Sequence, residues 1–158
     1  MGSICAIHRA SQSVAGMKAH RKQKQGARAA EEVPAFVPPV RRGTVLKVYD
    51  GDTITIAAPL HINGKQQLYK FRVRLRGIDC PELRGSDENE KAAARRARDI
   101  LAARIRDQPV ILQDVALDKY GRLLADVYHR SDNLSAWMLN RGLARRYAGR
   151  GAKWRDLV

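Results

Sequence analysis

The chain has little of several features that define common classes of small protein. It contains two cysteines, Cys5 and Cys80, among 158 residues, so a framework of disulfide bridges does not hold it together. Its four histidines form no cluster with cysteine, which excludes the usual zinc sites. No segment approaches the roughly 20 apolar residues of a membrane-spanning helix. The apolar content of 44% instead indicates one domain with a small hydrophobic core.

Acidic residues are scarce relative to basic ones. The chain has 30 Lys and Arg against 16 Asp and Glu, a net charge of +14. Residues 1–42 carry eight bases and two acids, and residues 43–158 carry 22 bases and 14 acids. An excess of this size favours a polyanionic partner, either nucleic acid or an anionic membrane surface, over a neutral small molecule.

The first 42 residues show no sustained hydrophobic period and end in closely spaced prolines. We interpret residues 1–42 as a basic, disordered N-terminal arm, followed by one folded domain at 43–158. The opening MGSICAI lacks the apolar run of a secretory signal. It would permit acylation of Gly2 and Cys5 and peripheral membrane attachment, but Ala6 stands where the myristoylation pattern wants Ser or Thr. The sequence does not determine the compartment.

The rest of the chain has the pattern of a small mainly β protein with helices. Runs rich in β-branched or alternating apolar residues predict five strands, at 44–49, 53–57, 67–75, 110–115 and 123–128. Asp-Gly and Asn-Gly pairs mark the turns between the first three strands. An apolar residue at every fourth position predicts a helix over 87–107, and a short C-terminal helix is predicted over 134–141. Five strands with a helix between the third and fourth match an OB-fold barrel, an α+β architecture often used on nucleic acid.

The strand at 67–75 leads into the stretch that we interpret as the active site. Apolar residues alternate with Arg72, Arg74 and Arg76, so the strand is expected to send its apolar face into the core and the guanidinium groups to the other face. Just beyond it, Asp79 and Glu82 bracket a Cys-Pro pair whose proline restricts how the two carboxylates point. Guanidinium and carboxylate groups are therefore expected to lie close together on a conformationally restricted segment.

The carboxylates can be interpreted either as structural turn residues or as ligands of a cation. Asp50 and Asp52 flank a glycine in a predicted hairpin, where aspartates often bond only to their own backbone. If the barrel brings Asp79 beside Asp52, their oxygens together with carbonyls and waters suit a hard cation such as Ca²⁺. We interpret Cys80 as a small buried residue rather than a nucleophile, because no histidine motif would activate it.

Arg74 and Arg122 can likewise each be interpreted in two ways. Arg74 could belong to a solvated strand face and Arg122 to a tight turn in LDKYGRLL. A guanidinium fork can also hold a phosphate through two hydrogen bonds. A phosphodiester needs such cations because its nonbridging oxygens gain charge in the transition state.

Three segments together carry a resemblance to a known family. DGDT at 50–53, an arginine strand leading to an Asp-x-Pro-Glu turn at 74–82, and Asp-Lys-Tyr-Gly-Arg at 118–122 follow one another in the order of the staphylococcal nuclease-like (thermonuclease) family. RGLARRY at 141–147 continues the agreement, which spans most of residues 43–146. The chain therefore resembles a member of that family.

The resemblance implies an OB-fold enzyme whose Ca²⁺-dependent reaction hydrolyses DNA and RNA and leaves 3′-phosphate ends. The implied Ca²⁺ ligands are the carboxylates of Asp52 and Asp79 and the backbone carbonyl of Cys80. Cys80 stands where the family more commonly has threonine, which matters little if only its carbonyl is used. Because the sequence stops at Val158, we also expect the family's long final helix to be absent or reduced.

The same resemblance implies roles for the remaining site residues. Arg74 and Arg122 would bind the scissile phosphate, and Glu82 would position or deprotonate the attacking water. The implied substrate-binding residues, which contact the adjacent nucleotide, its terminal phosphate or its base, are Lys119, Tyr120 and Tyr147. Two alternatives stay open: a non-catalytic OB-fold module that binds nucleic acid, and a membrane-attached member of the family. The five carboxylate and arginine positions are all intact, which favours a nuclease, and no obligate protein partner is indicated, so a monomer is expected.

Overall fold

The computed structural model describes residues 33–84 and 87–147, which fold into a mainly β structure of the predicted α+β class. Its strands in this range are β1 Arg42–Asp50, β2 Thr53–Ile62, β3 Lys65–Leu75, β4 Ile78–Asp79, β5 Pro109–Leu117, β6 Leu123–His129, β7 Asp132–Asn133 and β8 Arg145–Arg146. Its helices are α1 Glu88–Ile105 and α2 Leu134–Asn140. The five predicted strands and two predicted helices are therefore present, and the structure adds the two-residue strands β4, β7 and β8.

The five long strands form a closed barrel, which confirms the predicted OB-fold architecture. Neighbouring strands follow the order β3-β2-β1-β5-β6 and are antiparallel, and β3 then closes the barrel by pairing in parallel with β6. In this closing pair Val73 lies opposite Leu123 and Arg74 lies opposite Leu124. Val73 and Leu75 at the end of β3 are fully buried and Phe71 is half-buried, which agrees with the predicted alternation. Closure thus leaves the arginines of β3 on the outer face, beside the start of β6.

The β1–β2 turn contains a glycine that packing requires. A Cβ atom at Gly51 would lie 2.7 Å from the Cys80 sulfur and 3.1 Å from the Ala97 Cβ atom. Any side chain at Gly51 would therefore push β4 and α1 away from the turn. This close approach holds the neighbouring Asp52 against the segment that follows β4.

Helix α1 packs across the barrel with the face that its apolar spacing predicts. Asp87 caps its N-terminus by accepting hydrogen bonds from the backbone N–H groups of Asn89 and Glu90. Ala97, Leu101 and Ile105 are buried. Burying these side chains against β1 stabilises the helix far more than its intrinsic propensity does.

The predicted arm, residues 1–42, lies mostly outside the described residues, as do the predicted acylation sites and the end of the chain from residue 148 onward. Where the described part begins, Val40 is 2% exposed and belongs to the core. The backbone carbonyl of Arg41 also accepts a hydrogen bond from Leu112 N–H at 2.8 Å. None of the described helices is long and apolar enough to cross a membrane.

Candidate active site

Arg74 joins the two aspartates that the sequence singles out. One of its terminal nitrogens lies 2.7 Å from an Asp52 carboxylate oxygen, and the other lies 3.3 Å from an Asp79 carboxylate oxygen. The second nitrogen also donates to the backbone carbonyl of Ile78 at 3.2 Å. Both carboxylates are buried, whereas the Arg74 side chain remains partly exposed. Asp52, Arg74 and Asp79 therefore form one network in which the arginine is the member accessible to solvent.

Several parts of the barrel hold these groups in place. Asp52 accepts a hydrogen bond from the Thr53 hydroxyl at 2.9 Å, and its backbone carbonyl accepts one from Leu75 N–H at 2.8 Å. Asp79 lies on β4, which pairs with β8 so that Asp79 is opposite Arg145. The Arg145 guanidinium approaches the second Asp79 oxygen at 3.5 Å. The site is thus held between the first strands and the last described strand.

Burial sets the electrostatics of Asp52. Removal from water, together with the nearby carboxylate of Asp50, raises its pKa to about 6 from an ordinary value of 3.8. The Arg74 guanidinium and the Thr53 hydroxyl act in the opposite direction, because they stabilise the charged form. Burial thus makes ionisation of Asp52 costly, and a nearby cation favours its charged form.

Arg122 is held by Asp118, which begins the DKYGR segment. Its side-chain Nε donates to one Asp118 oxygen at 2.6 Å, and its backbone N–H donates to the other at 2.9 Å. That second oxygen also accepts the Tyr120 N–H at 2.8 Å. Although burial alone would raise the Asp118 pKa, the hydrogen bonds from Arg122 and Tyr120 outweigh it and lower the pKa. Asp118 thus stays charged and fixes the loop between β5 and β6.

Tyr120 presents its ring to solvent within this loop. Its side chain is 69% exposed, and both the Lys119 ammonium and the Arg122 guanidinium lie near the ring, at 5.0 Å and 5.4 Å from its centre. An exposed aromatic ring beside two cations matches the requirements of a nucleotide, which has a flat base and an anionic phosphate.

Glu82 follows the site turn, and a buried residue of α1 holds its backbone. The Glu82 N–H donates to a carboxylate oxygen of Glu90 at 3.2 Å. Glu90 is only 6% exposed, although most charged residues of α1 face solvent. This contact ties the first turn of α1 to the segment that carries Glu82.

Cys80 lies in the core beneath the turn. Its side chain is buried, and burial raises the pKa of its thiol, with nearby carboxylates acting in the same direction. The thiol therefore stays protonated, which agrees with its interpretation as a packing residue rather than a nucleophile.

All nine of the site residues predicted from the sequence line one open cleft of about 1310 Å³. They are Asp52, Arg74, Asp79, Cys80, Glu82, Lys119, Tyr120, Arg122 and Tyr147. Tyr147 is placed there by its backbone N–H, which donates to the Gly77 carbonyl at 3.0 Å. The cleft is larger than most pockets for single small molecules, and its open form suits an extended chain.

The structure adds three residues that sequence reasoning missed: Glu90, Asp118 and Arg145. Each contacts a predicted site residue rather than pointing into solvent. Nothing in the sequence distinguished Glu90 as a site residue, because glutamate is common in the first turn of a helix. Asp118 begins the DKYGR segment, and an aspartate at the start of a tight turn commonly accepts hydrogen bonds from the backbone that follows, which is the signal that could have identified it.

Comparison with known proteins agrees with this geometry. The family model described as staphylococcal nuclease homologue matches residues 72–156. The match covers more than half of the chain and includes Arg74 at the end of β3, the acidic turn and the DKYGR segment.

Three relatives illustrate the similarity. Protein ParB of Escherichia coli is 34% identical over 122 residues, covering 70% of this chain and 61% of the relative. Endonuclease Htp3 of Saprolegnia parasitica is 32% identical over 128 residues, covering 74% of this chain and 61% of that protein. Micrococcal nuclease of Shigella flexneri is 33% identical over 115 residues, covering 67% of this chain and 58% of that protein. The matched region thus spans about three fifths of each relative's length.

Proposed function

The chain belongs to the staphylococcal nuclease family, and we propose that it is a calcium-dependent endonuclease that hydrolyses DNA and RNA and leaves 3′-phosphate ends. The observation that carries the proposal is the Arg74 guanidinium, which contacts both buried aspartates at the wall of a cleft that Arg122 also lines. Relatives named endonuclease Htp3 and micrococcal nuclease support the reaction class.

The donor set of the cleft fits a hard cation. Among the described residues, no group of three or more His, Cys, Asp and Glu side chains is arranged to hold a metal ion. The site instead offers two buried carboxylates, Asp52 and Asp79, that already share a positive partner. Oxygen donors of this kind, completed by backbone carbonyls and waters, suit Ca²⁺, whose coordination is flexible. Asp52, Asp79 and the Cys80 carbonyl would hold the ion, which would neutralise phosphate charge and lower the pKa of a bound water.

Arg74 and Arg122 supply the fixed positive charge for the reacting phosphate. The barrel closes at β3 and β6, so an arginine in β3 and an arginine just before β6 reach the same cleft. Each guanidinium is already oriented by carboxylates, Arg74 by Asp52 and Asp79, and Arg122 by Asp118. Cations oriented in advance stabilise the charge that develops on the nonbridging oxygens without reorganising during the reaction.

Glu82 is the residue that we assign to the attacking water. Its side chain is exposed and lines the cleft, while its backbone is held by Glu90. A carboxylate there can orient a water or accept its proton. Lys119 and Tyr120 would bind the neighbouring nucleotide, the ammonium on phosphate and the ring on the base. Tyr147 would extend the wall that contacts bases.

Cleavage assays with defined metals test the proposal. Labelled single- and double-stranded DNA and RNA are incubated with Ca²⁺, with Mg²⁺ and with EDTA, and the product ends are analysed for a 3′-phosphate. We expect cleavage in Ca²⁺, poor cleavage in Mg²⁺ because its preference for octahedral geometry suits a loop-built site less well, and none in EDTA. Binding without cleavage in Ca²⁺ would instead identify a non-catalytic nucleic-acid-binding module.

A further inference from the structure

Tyr49 is an exposed aromatic residue to which the proposed function gives no role. The Lys47 ammonium lies 5.9 Å and the Arg72 guanidinium 5.5 Å from the centre of its ring. The ring is 38% exposed, and Lys47 and Arg72 are exposed as well. An aromatic ring with two cations repeats the combination found at Tyr120.

Trp137 is a third aromatic residue with two nearby cations, and here the combination of ring and cations contributes to packing. Arg104 and Arg141 lie 4.6 Å and 4.5 Å from its ring, and Trp137 packs against the core. The contacts at Tyr49 are about 1 Å longer, near the 6 Å limit of cation–π attraction. Lys47 and Arg72 are exposed, so their charged groups are accessible to another partner.

Tyr49 lies in the same cleft as Asp52 and Arg74. Across the sheet, Lys47 lies opposite Thr55 and Thr55 lies opposite Arg72, so Lys47 and Arg72 share one row. Arg72 precedes Arg74 by two residues on the same strand face, a separation of about 7 Å. One nucleotide of an extended strand can span that distance.

We propose that Tyr49, Lys47 and Arg72 form a second nucleotide subsite, in which a base of single-stranded nucleic acid stacks on Tyr49 while its phosphate contacts Lys47 and Arg72. The subsite rests on the proposed function, because it extends the path of the strand whose scissile phosphate binds Arg74. Tyr49 is on β1 and Tyr120 precedes β6, and these strands lie on opposite sides of β3 in the barrel. The two tyrosines thus hold bases on either side of the scissile phosphate.

The charges around Tyr49 favour this path for the strand. Lys47 and Arg72 attract phosphate, whereas the Asp50 carboxylate next to Tyr49 repels it. The backbone of the strand is therefore directed toward the row of Lys47 and Arg72, which leaves the tyrosine ring to the base. Stacking needs no particular base, because every base has a flat π face, so the subsite adds affinity without sequence preference.

A series of single-stranded oligonucleotides, each lacking one base, tests the subsite. Binding of the full chain is measured in EDTA, with intact labelled DNA and with DNA carrying one abasic position at each point in turn. We expect Tyr49→Leu to weaken binding of intact DNA by roughly 5- to 150-fold, the effect of losing one stacked base. Removing the base that faces Tyr49 should weaken binding by the wild type and leave the binding by Tyr49→Leu unaffected.

Matched variants separate stacking from general effects. Tyr49→Phe keeps the ring and should retain both the affinity and the abasic pattern, and Tyr69→Leu changes a tyrosine of β3 outside the cleft and should do the same. Lys47→Ala and Arg72→Ala should each reduce the slope of log affinity against log salt by about 0.7, whereas Lys65→Ala, at the far β2–β3 turn, should not. Melting temperatures of all variants are measured in parallel.

Two results would overturn the subsite: wild-type affinity in Tyr49→Leu, or an abasic pattern in that variant identical to the wild-type pattern. The second result would overturn it even if the melting temperature fell, because a general loss of stability weakens all positions alike. Cleavage in Ca²⁺ is measured separately. An inactive protein that shows the expected binding pattern would refute the proposed nuclease and leave the subsite standing.

Discussion

The Arg74 guanidinium lies 2.7 Å from the Asp52 carboxylate, and both groups line the cleft in which we place the scissile phosphate. A planar fork explains how one side chain contacts Asp52 and Asp79 at once and still presents a face to solvent. Lysine has the charge of arginine but not this geometry.

Arg74→Lys should therefore lower the cleavage rate by roughly a hundredfold or more, the effect of losing one oriented transition-state donor. Substrate affinity should change much less, because the positive charge remains. Steady-state kinetics that separate kcat from KM would measure both. A control is Arg95→Lys, on the exposed face of α1 outside the cleft, which should behave as the wild type. Equal, small losses in both variants would refute the assignment of Arg74 to the transition state.

Asp118 should act on cleavage through Arg122. Asp118→Asn keeps an oxygen for the backbone N–H groups but loses the charged partner of the Arg122 Nε, a contact worth about 1.5–3 kcal/mol. We expect kcat to fall by roughly 10- to 100-fold with the fold intact. Near-UV circular dichroism checks the fold, and wild-type kcat in the variant would contradict the assignment.

The lowered pKa of Asp118 also predicts a pH dependence of stability. Its folded pKa lies below the ordinary aspartate value of 3.8, so its contribution to stability is complete above that value and is lost as the pH falls through the lowered pKa. The melting temperature of Asp118→Asn should therefore lie below that of the wild type at neutral pH, and the two should converge in acid below about pH 4. A constant difference down to pH 2 would show that the charge of Asp118 is not responsible.

Glu90 is expected to position Glu82 through the backbone. Glu90→Ala leaves the Glu82 N–H without its acceptor, at a cost of about 1–3 kcal/mol, and should reduce kcat more than KM. Glu90→Gln keeps an amide oxygen as the acceptor and should restore most of the rate. Glu88→Ala, in the same turn but exposed, is the matched control. If glutamine failed to restore kcat while the melting temperature was normal, the contact with Glu82 would not explain the role of Glu90.

Two truncations should separate the basic N-terminal segment from the fold. Deleting residues 2–32 removes six bases and two acids, so it should weaken DNA binding at low salt and leave the melting temperature unchanged. Deleting residues 2–42 also removes Val40 from the core, a loss of about 1.5–3 kcal/mol, and should lower the melting temperature. Differential scanning calorimetry and a salt series of binding measurements distinguish these effects. An equal melting temperature for the two truncations would contradict the role of Val40.

Local patterns in the sequence were sufficient to predict the five long strands and both helices, but not the two-residue strands β4, β7 and β8. Alternation in β3 and the Asp-Gly turn before Thr53 report on the backbone directly, because side-chain direction and turn geometry are local properties. The parallel pairing of β3 with β6 joins segments that are distant in the sequence, so no short pattern indicates it. The sequence analysis predicted a barrel without stating which strands close it.

Residue type and alternation did not separate the two arginines of β3 from the arginine that directly follows it. Arg72, Arg74 and Arg76 have the same spacing, but Arg76 donates to backbone carbonyls of Asp114 and Leu124 and so fastens β3 to its neighbours. Its partner Asp114 has a positive φ of 50° within β5, a local irregularity that the sequence did not indicate. The resemblance singled out Arg74 and Arg122 because it carried information about the assembled cleft.

The closure of β3 onto β6 has a consequence for when activity can begin. The two arginines proposed to hold the phosphate meet only after β6 docks, and Asp79 is backed by Arg145 in the last described strand. During synthesis the first three strands can emerge and pair before β6 and β8 have left the ribosome. The proposed site therefore stays incomplete until β6 and β8 have joined the earlier strands.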